Sequence, residues 1–179
     1  MNRGDLSEQF VSGEEIFRGG ILRLRRDVVR LPDGSQAVRE YVRHPGAVAI
    51  VALTGEGGVV LERQHRYPLG RDFVELPAGK LEPDEAHLET AQRELLEETG
   101  YAAAEWTRLG LVHNAIGYSD ESIELWLASG LEKRAANLDA GEFLEVFTLP
   151  FEEALAMAAD GRISDVKTII GLFWANRRR

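Results

Sequence analysis

Apolar and charged residues partly alternate in two segments near the start of the chain, at residues 21–29 and 37–42. Between them, residues 31–35 read Leu-Pro-Asp-Gly-Ser, a combination that favours a tight turn. The pattern predicts a β-hairpin. Because an isolated hairpin is marginally stable in water, we expect the residues before about Gly46 to pack on another surface. A second copy of the chain is the simplest candidate.

A continuous apolar run, Ala-Val-Ala-Ile-Val-Ala-Leu, occupies residues 47–53. An uninterrupted run of this length is typical of a strand that is covered on both faces. Gly-Glu-Gly-Gly at 55–58 predicts a turn into a further strand at 59–62. Other strands are predicted at 106–112, 122–128 and 143–149.

Three helices are predicted: the first ends near Gly100, the second spans residues 151–160 and the third spans 164–175. The first helix lies between sheet segments, whereas the other two close the chain. Many strands combined with three helices indicate a mixed sheet between helical layers. We therefore expect an α/β fold arranged as an α/β/α sandwich.

The first predicted helix has recognisable ends and one apolar side. Asp84 is a candidate N-cap, and Gly100 stands where a left-handed residue would stop the helix. Leu88, Ala91 and Leu95 form an apolar stripe that can be buried against a sheet. A neighbouring face of the helix, which carries carboxylates, is then left open.

Composition narrows the class of protein. A chain of 179 residues with 44% hydrophobic content can bury one good core, and a formal net charge of −9 argues against nucleic acid as a partner. The absence of cysteine excludes disulfides, zinc–thiolate sites and thiol nucleophiles, and it fits a reducing cytoplasm. No apolar stretch approaches the roughly twenty residues of a membrane span. We expect a cytoplasmic protein without a membrane partner.

Three glutamates on the first helix are the strongest chemical signal in the chain. Glu94 and Glu98 are one turn apart, and Glu97 lies close to the same face. Like charges at this spacing repel, so a helix gains nothing from them by itself. A solvated acidic face is the plain alternative. Oxygen ligands without nearby cysteine or histidine suit Mg²⁺, or Mn²⁺, together with a phosphate.

The spacing around these glutamates follows a longer motif. From Gly79 there are five residues to Glu85, then seven residues before Arg93-Glu94-Leu95, and the motif closes with Glu97-Glu98 and Gly100. This is a complete Nudix box, and the chain resembles the Nudix hydrolase family. The resemblance implies the α/β/α Nudix fold and Mg²⁺-dependent cleavage of a diphosphate.

Segments outside the box resemble one branch of that family, the ADP-ribose pyrophosphatases and nucleoside diphosphate sugar hydrolases. These segments are residues 43–48, 63–68, 75–80, 117–121 and 161–168. The branch implies a homodimer, with residues 1–45 as an N-terminal dimerisation region that helps to form the partner's substrate pocket and 46–179 as the Nudix hydrolase domain. ADP-ribose is the expected substrate.

One departure from the branch pattern leaves a second substrate open. The ADP-ribose subgroup has a proline just before the glycine that corresponds to Gly117, whereas this chain reads Asn-Ala-Ile-Gly at 114–117. The change either has no consequence or reshapes the pocket for another nucleotide sugar such as GDP-mannose. A non-catalytic nucleotide-binding module is a further alternative, although no box carboxylate is missing.

The resemblance also assigns roles to individual residues. The carbonyl of Ala78 with Glu94 and Glu98 would hold the metal, and Glu97 would bind a second ion or orient water. Arg93 is expected to clamp carboxylates rather than touch substrate. The remaining assignments are a late-loop acid at Glu142, with Glu145 as the next candidate, and substrate contacts from Arg66, Glu75, Arg63 and Tyr118. The plain reading of Glu75 is an ion pair with Arg66.

Overall fold

The computed structural model describes residues 5–135, 141 and 143–179. Its strands are β1 (Gln9–Arg18), β2 (Arg23–Arg30), β3 (Gln36–Arg43), β4 (Ala47–Ala52), β5 (Gly58–Arg66), β6 (Arg71–Glu75), β7 (Ala78–Lys80), β8 (Tyr101–Val112), β9 (Ile123–Lys133) and β10 (Leu144–Pro150). The helices are α1 (His87–Thr99), α2 (Phe151–Asp160) and α3 (Val166–Asn176). In the described part of the chain, none of them has the length and apolar character needed to cross a membrane.

The described residues form two compact units. The first contains the described residues up to Pro45 together with Ala115–Glu121, and the second contains Gly46–Asn114 with the described residues from Ser122 onward. The first unit therefore includes a segment from the middle of the chain that the predicted region 1–45 did not include.

The first unit is built on an antiparallel sheet in the order β1-β2-β3. The predicted hairpin corresponds to β2 and β3, whereas β1 was not predicted. All ten residues of β1 are exposed, so the strand lacks the alternation that a half-buried strand shows. The segment Ala115–Glu121 joins the unit through backbone contacts, such as the amide of Val42 donating to the carbonyl of Tyr118 at 2.9 Å.

The second unit contains a mixed sheet in the order β7-β4-β9-β8 and an antiparallel sheet in the order β10-β5-β6. In the mixed sheet β4 and β9 are parallel, while the other pairs are antiparallel. Every residue of β4 is buried, as its uninterrupted apolar sequence predicts. The predicted mixed sheet is confirmed.

Successive residues of β4 contact different helical layers. Ile50 belongs to a buried cluster with Ala91 and Leu95 of α1, whereas Val51 belongs to a cluster with Leu172 of α3 and Phe151 of α2. Since neighbouring side chains of a strand point to opposite faces, helices cover both sides of this strand. The predicted α/β/α arrangement is confirmed, and Ala91 and Leu95 of the predicted apolar stripe are fully buried.

The start of α1 differs from the prediction, although its end does not. The helix begins at His87, and Asp84 lies before it in a left-handed conformation with φ of 64°, so Asp84 is not the N-cap. The carboxylate of Glu89 accepts instead from the backbone amide of Ala86 at 3.2 Å. At the other end Gly100 is left-handed, and its amide donates to the carbonyl of Leu96 at 2.9 Å, as predicted.

Candidate active site

Residues 76–79, which join β6 to β7 and form the start of β7, bring backbone groups beside α1 and are referred to as the loop. The carbonyl of Pro77 accepts from the amide of Ile50 at 2.9 Å, and β7 pairs antiparallel with β4 from Ala47 to Ala49. These bonds fix the loop to a buried strand that also packs against α1. Because the loop and α1 both contact the same buried strand, their chemical groups are held in fixed positions relative to each other.

Arg93 binds three carboxylates at once. Its Nε and Nη2 donate to the two oxygens of Glu85 at 2.9 and 3.0 Å. Its Nη1 donates to Glu94 at 2.9 Å and to Glu97 at 3.1 Å. The hydrogen bond with Glu85 raises the pKa of Arg93, the neighbouring carboxylates add to this, and both outweigh the opposite effect of burial, so the guanidinium stays charged. These contacts are those expected of a residue that orients carboxylates.

Glu98 and Glu94 lie against the Ala78–Gly79 segment of the loop. The backbone amide of Ala78 donates to Oε2 of Glu98 at 2.9 Å, and Glu98 is buried. A Cβ added to Gly79 would stand 1.8 Å from Cδ of Glu94. The glycine therefore lets the carboxylate of Glu94 approach the loop backbone closely, which any side chain would prevent.

Carboxylates and a backbone carbonyl are suitable ligands for a hard cation. Over residues 5–135, 141 and 143–179, no three side chains of His, Cys, Asp and Glu are grouped so as to enclose a metal ion. Magnesium does not require such a cage, because it keeps several waters and takes one or two carboxylates together with phosphate oxygens. Glu94, Glu98 and the carbonyl of Ala78 thus fit Mg²⁺ by the chemistry of their oxygens.

A partly buried ion-pair network is centred on Glu75, immediately before this loop. Arg66 donates through Nε and Nη2 to the two oxygens of Glu75, both at 2.7 Å, and Lys167 of α3 also donates to Glu75. Burial would raise the pKa of Glu75, but the hydrogen bond from Arg66 and the charge of Lys167 outweigh it and hold that pKa below its usual value. The pairing of Glu75 with Arg66 is present, and its predicted contact with substrate stays a prediction.

Hydrogen bonds join the start of α3 to Leu76, the residue that follows β6. The backbone amide of Leu76 donates to Oγ1 of Thr168 at 2.8 Å, and that hydroxyl donates to Asp165 at 2.5 Å. Asp165 caps α3 by accepting from the amide of Thr168 at 3.0 Å. Lys167 and Thr168 were not predicted as site residues. In the sequence they were indicated only by the resemblance of residues 161–168 to the family branch, and that resemblance did not show which residues they contact.

The other predicted site residues are placed less centrally. Arg63 is exposed and pairs with Glu145 across β5 and β10. Tyr118 belongs to the first compact unit, where its side chain is exposed. Glu142 lies outside the described residues. The roles of all four in substrate binding or proton transfer stay predictions.

Replacing Glu85 by Gln is expected to reduce the loss of stability in acid. Hydrogen bonds from Arg93 lower the pKa of Glu85 from 4.5 to about 2. Because the folded state depresses this pKa, the stabilisation is fully present above the unfolded value and is lost as the pH falls from about 4.5 towards about 2. Melting temperatures measured in metal-free buffer from pH 6 to pH 3 should fall less steeply for E85Q than for the unmodified protein. Parallel curves would contradict this prediction.

Replacing Thr168 by Val is expected to lower the free energy of unfolding by about 1–3 kcal/mol. Valine has the same shape but cannot accept from the amide of Leu76, which would be left unsatisfied in a buried position. Urea titration followed by circular dichroism would measure the difference. T107V, at an exposed position of β8, is the matched control and should leave the midpoint unchanged within error. Equal midpoints for T168V and T107V would show that the tie between α3 and the loop does not stabilise the fold.

Three features together define the Nudix class of proteins: an α/β/α sandwich, this glycine-containing loop, and a helix, α1, whose clustered glutamates contact an arginine. The model of the NUDIX domain matches residues 43–169, and the model of the nucleoside diphosphate sugar hydrolase N-terminal domain matches residues 8–42. The chain therefore belongs to the Nudix family.

Characterised relatives align over nearly the whole chain. The methanol dehydrogenase activator of Bacillus methanolicus is 44% identical, covering 92% of this chain and 90% of that protein. The ADP-ribose pyrophosphatase of Bacillus subtilis is 42% identical, with 91% and 89% covered. A GDP-mannose pyrophosphatase of Pectobacterium atrosepticum is 34% identical, with 85% and 77% covered. A crystal structure of an ADP compounds hydrolase has the same fold, with a TM-score of 0.84 at 20% identity over 97% of this chain and 95% of that one.

Proposed function

We propose that this Nudix pyrophosphohydrolase cleaves the diphosphate of ADP-ribose to give AMP and ribose 5-phosphate, with Mg²⁺ as cofactor and Mn²⁺ as a possible substitute. The observation that carries the proposal is the position of Glu94 and Glu98 against the Ala78–Gly79 loop. An ADP-ribose pyrophosphatase that is 42% identical over most of both chains supports the choice of substrate. A cytoplasmic location stays a prediction.

The carboxylates and the loop supply the metal ligands in this proposal. Glu94, Glu98 and the carbonyl of Ala78 would hold the ion, while Glu97 binds a second ion or orients water. When bound, Mg²⁺ neutralises diphosphate oxygens and lowers the pKa of a coordinated water. Arg93 contributes by fixing the directions of Glu94 and Glu97, to which it donates at 2.9 and 3.1 Å. Glu142 is proposed as a general base or additional ligand.

Arg66 is the best-supported contact for the substrate. Its side chain is 44% exposed, and its guanidinium is held by Glu75, to which Lys167 also donates. The hydrogen bond with Glu75 raises the pKa of Arg66, so the guanidinium stays charged. A planar guanidinium can hold phosphate oxygens in pairs. Arg63, Glu75 and Tyr118 are proposed as further substrate contacts.

A hydrolysis panel with Mg²⁺ tests the substrate. ADP-ribose, GDP-mannose, UDP-glucose, NADH, diadenosine polyphosphates and 8-oxo-dGTP are compared at one concentration, and products are separated by ion-exchange chromatography. Preference for ADP-ribose supports the proposal. Preference for GDP-mannose would favour the alternative substrate. Two observations support that alternative: the match to a GDP-mannose pyrophosphatase and the Asn-Ala-Ile-Gly sequence at 114–117. Turnover of none would favour a nucleotide-binding module.

A homodimer through the first unit forms part of the proposal. Phe17 is 54% exposed and Val38 is 55% exposed. Their register partners on β2, Leu24 and Val28, place them on one face of the sheet. A small sheet with large apolar side chains in solvent is typical of a surface that another chain covers. The isologous contact of a second copy is the commonest way to cover it.

Replacing Phe17 by Ser is expected to shift the protein from dimer towards monomer. Serine removes an exposed aromatic side chain that is proposed to be buried between the two copies. Sedimentation velocity at several concentrations would measure the monomer fraction. L69S is the matched control, since Leu69 is 66% exposed but belongs to the second unit. A monomeric unmodified protein, or equal dimer fractions for F17S and L69S, would count against this interface.

A further inference from the structure

The first compact unit contains a cavity of about 430 Å³ whose lining is rich in arginine. Arg18 of β1, Arg23 and Arg25 of β2 and Arg43 of β3 all contribute to it, together with the carboxylates of Glu15 and Asp27. The volume lies within the range of about 300–1,000 Å³ that small-molecule sites occupy. All of these residues lie outside the Nudix box.

Three of the arginines form one row across the sheet. In the register of the strands, Arg18 is opposite Arg23, and Arg23 is opposite Arg43. Like charges directly opposite one another on neighbouring strands destabilise a sheet. A row of three therefore carries a repulsion that a bound anion would relieve.

The carboxylates in the cavity only partly balance this charge. Glu15 accepts from Arg18 at 2.7 Å and lies 3.7 Å from Arg23. Four arginines and two carboxylates leave two positive charges in excess among the lining residues. Asp120, at 3.1 Å from Arg43, reduces the excess to one. Because the whole chain carries a net charge of −9, this positive cavity is opposite in sign to the rest of the molecule.

Asp27, the second carboxylate of the cavity, holds the side chains of Arg25 and Tyr41 in fixed positions. Asp27 is buried, accepts from Arg25 at 3.0 Å and accepts from the hydroxyl of Tyr41 at 2.8 Å. A Cβ added to Gly13 would stand 1.9 Å from Oδ1 of Asp27, so a glycine is required for the carboxylate to lie across β1. The guanidinium of Arg25 is thereby positioned before any ligand arrives, which lowers the entropic cost of binding.

We propose that this cavity binds the phosphate group of a phosphomonoester. Arginine is the side chain that matches the planar pairs of oxygens on phosphate, and several arginines around one volume suit a dianion better than a carboxylate. AMP and ribose 5-phosphate both carry this group, and the two sources are distinguished by titrating each one separately. The lining residues lie outside the proposed catalytic residues, and the choice of AMP and ribose 5-phosphate as ligands rests on the proposed function.

The test is isothermal titration calorimetry of the full-length protein with AMP and with ribose 5-phosphate, in chelator-containing buffer at constant ionic strength. R23Q and the double variant R23Q/R43Q remove charge from the row. R26Q is the matched control: Arg26 is on the same strand with its side chain on the opposite face, where it pairs with Glu40 at 2.7 Å. R66Q reports any binding in the second unit. Circular dichroism checks that each variant is folded. If R23Q does not fold, R23K, which keeps the positive charge, is used in its place.

The unmodified protein and R26Q should bind at least one of the two ligands with equal affinity. R23Q should bind about tenfold or more weakly, as expected for the loss of one charge-assisted contact, and R23Q/R43Q should show no saturable heat. R23K should bind more weakly than the unmodified protein, since lysine lacks the planar fork. Binding that is lost in R66Q and retained in R23Q/R43Q would overturn the proposal. So would an absence of binding to either ligand, or arginine variants that change only the oligomeric state.

Discussion

Replacing Glu98 by Gln is expected to reduce Mg²⁺-dependent turnover of ADP-ribose on the order of 10³-fold, because the loss of one carboxylate ligand removes several kcal/mol of transition-state stabilisation. Glutamine keeps the shape of the side chain, and its carbonyl oxygen can still accept from the amide of Ala78, where Glu98 accepts at 2.9 Å. The fold should therefore remain intact, and the effect should fall on kcat rather than on thermal stability.

Steady-state kinetics with product detection by chromatography would measure this change. E89Q is the matched control, since Glu89 is exposed on the same helix. This variant should leave turnover within about twofold of the unmodified protein. Retained turnover in E98Q would contradict the assignment of the metal ligands. An unmodified protein that binds ADP-ribose without turning it over would indicate a binding module instead.

Replacing Gly79 by Ala is expected to reduce the same activity by about 10²-fold, since misplacing a catalytic group by about 1 Å has this order of effect. The new Cβ would stand 1.8 Å from Cδ of Glu94, so either the loop or the carboxylate must move. Gly79 is not among the left-handed glycines, and alanine therefore introduces no backbone strain of its own. The change is expected to act on the geometry of the proposed metal ligands more than on the stability of the fold.

Activity and melting temperature of G79A would be compared with those of G55A. A Cβ at Gly55 meets no atom within 4 Å, and its backbone is likewise outside the left-handed region, so this control should resemble the unmodified protein. A G79A protein with full activity would show that Glu94 need not approach the loop. A G79A protein that is inactive because it is unfolded would be recognised from its circular dichroism spectrum.

The elements that sequence predicted best are those whose environment is the same along their whole length. The apolar run in β4 is buried throughout, and the stop of α1 at Gly100 depends only on local backbone geometry. The fixed spacing of the Nudix box predicted that the loop and the glutamates of α1 belong to one site. Where a pattern has a single local cause, the sequence is sufficient to predict the structure.

The elements that sequence missed depend on surroundings that are distant or absent. Strand β1 is exposed along its whole length, so no apolar alternation indicates it. Asp84 has the composition of an N-cap, but its left-handed backbone places it in the preceding turn. Lys167 and Thr168 contact residues about ninety positions earlier, and no periodicity reports such contacts.

The tie between α3 and the loop at Leu76 has a consequence for biosynthesis. The two partners are 92 residues apart in the chain. At about 5–20 residues per second, a ribosome that has completed the box helix needs several more seconds to supply Asp165, Lys167 and Thr168. During that interval the nascent chain carries the proposed metal ligands without the groups that hold Glu75 and Leu76 in place. The site therefore reaches its final form only after α3 has been synthesised.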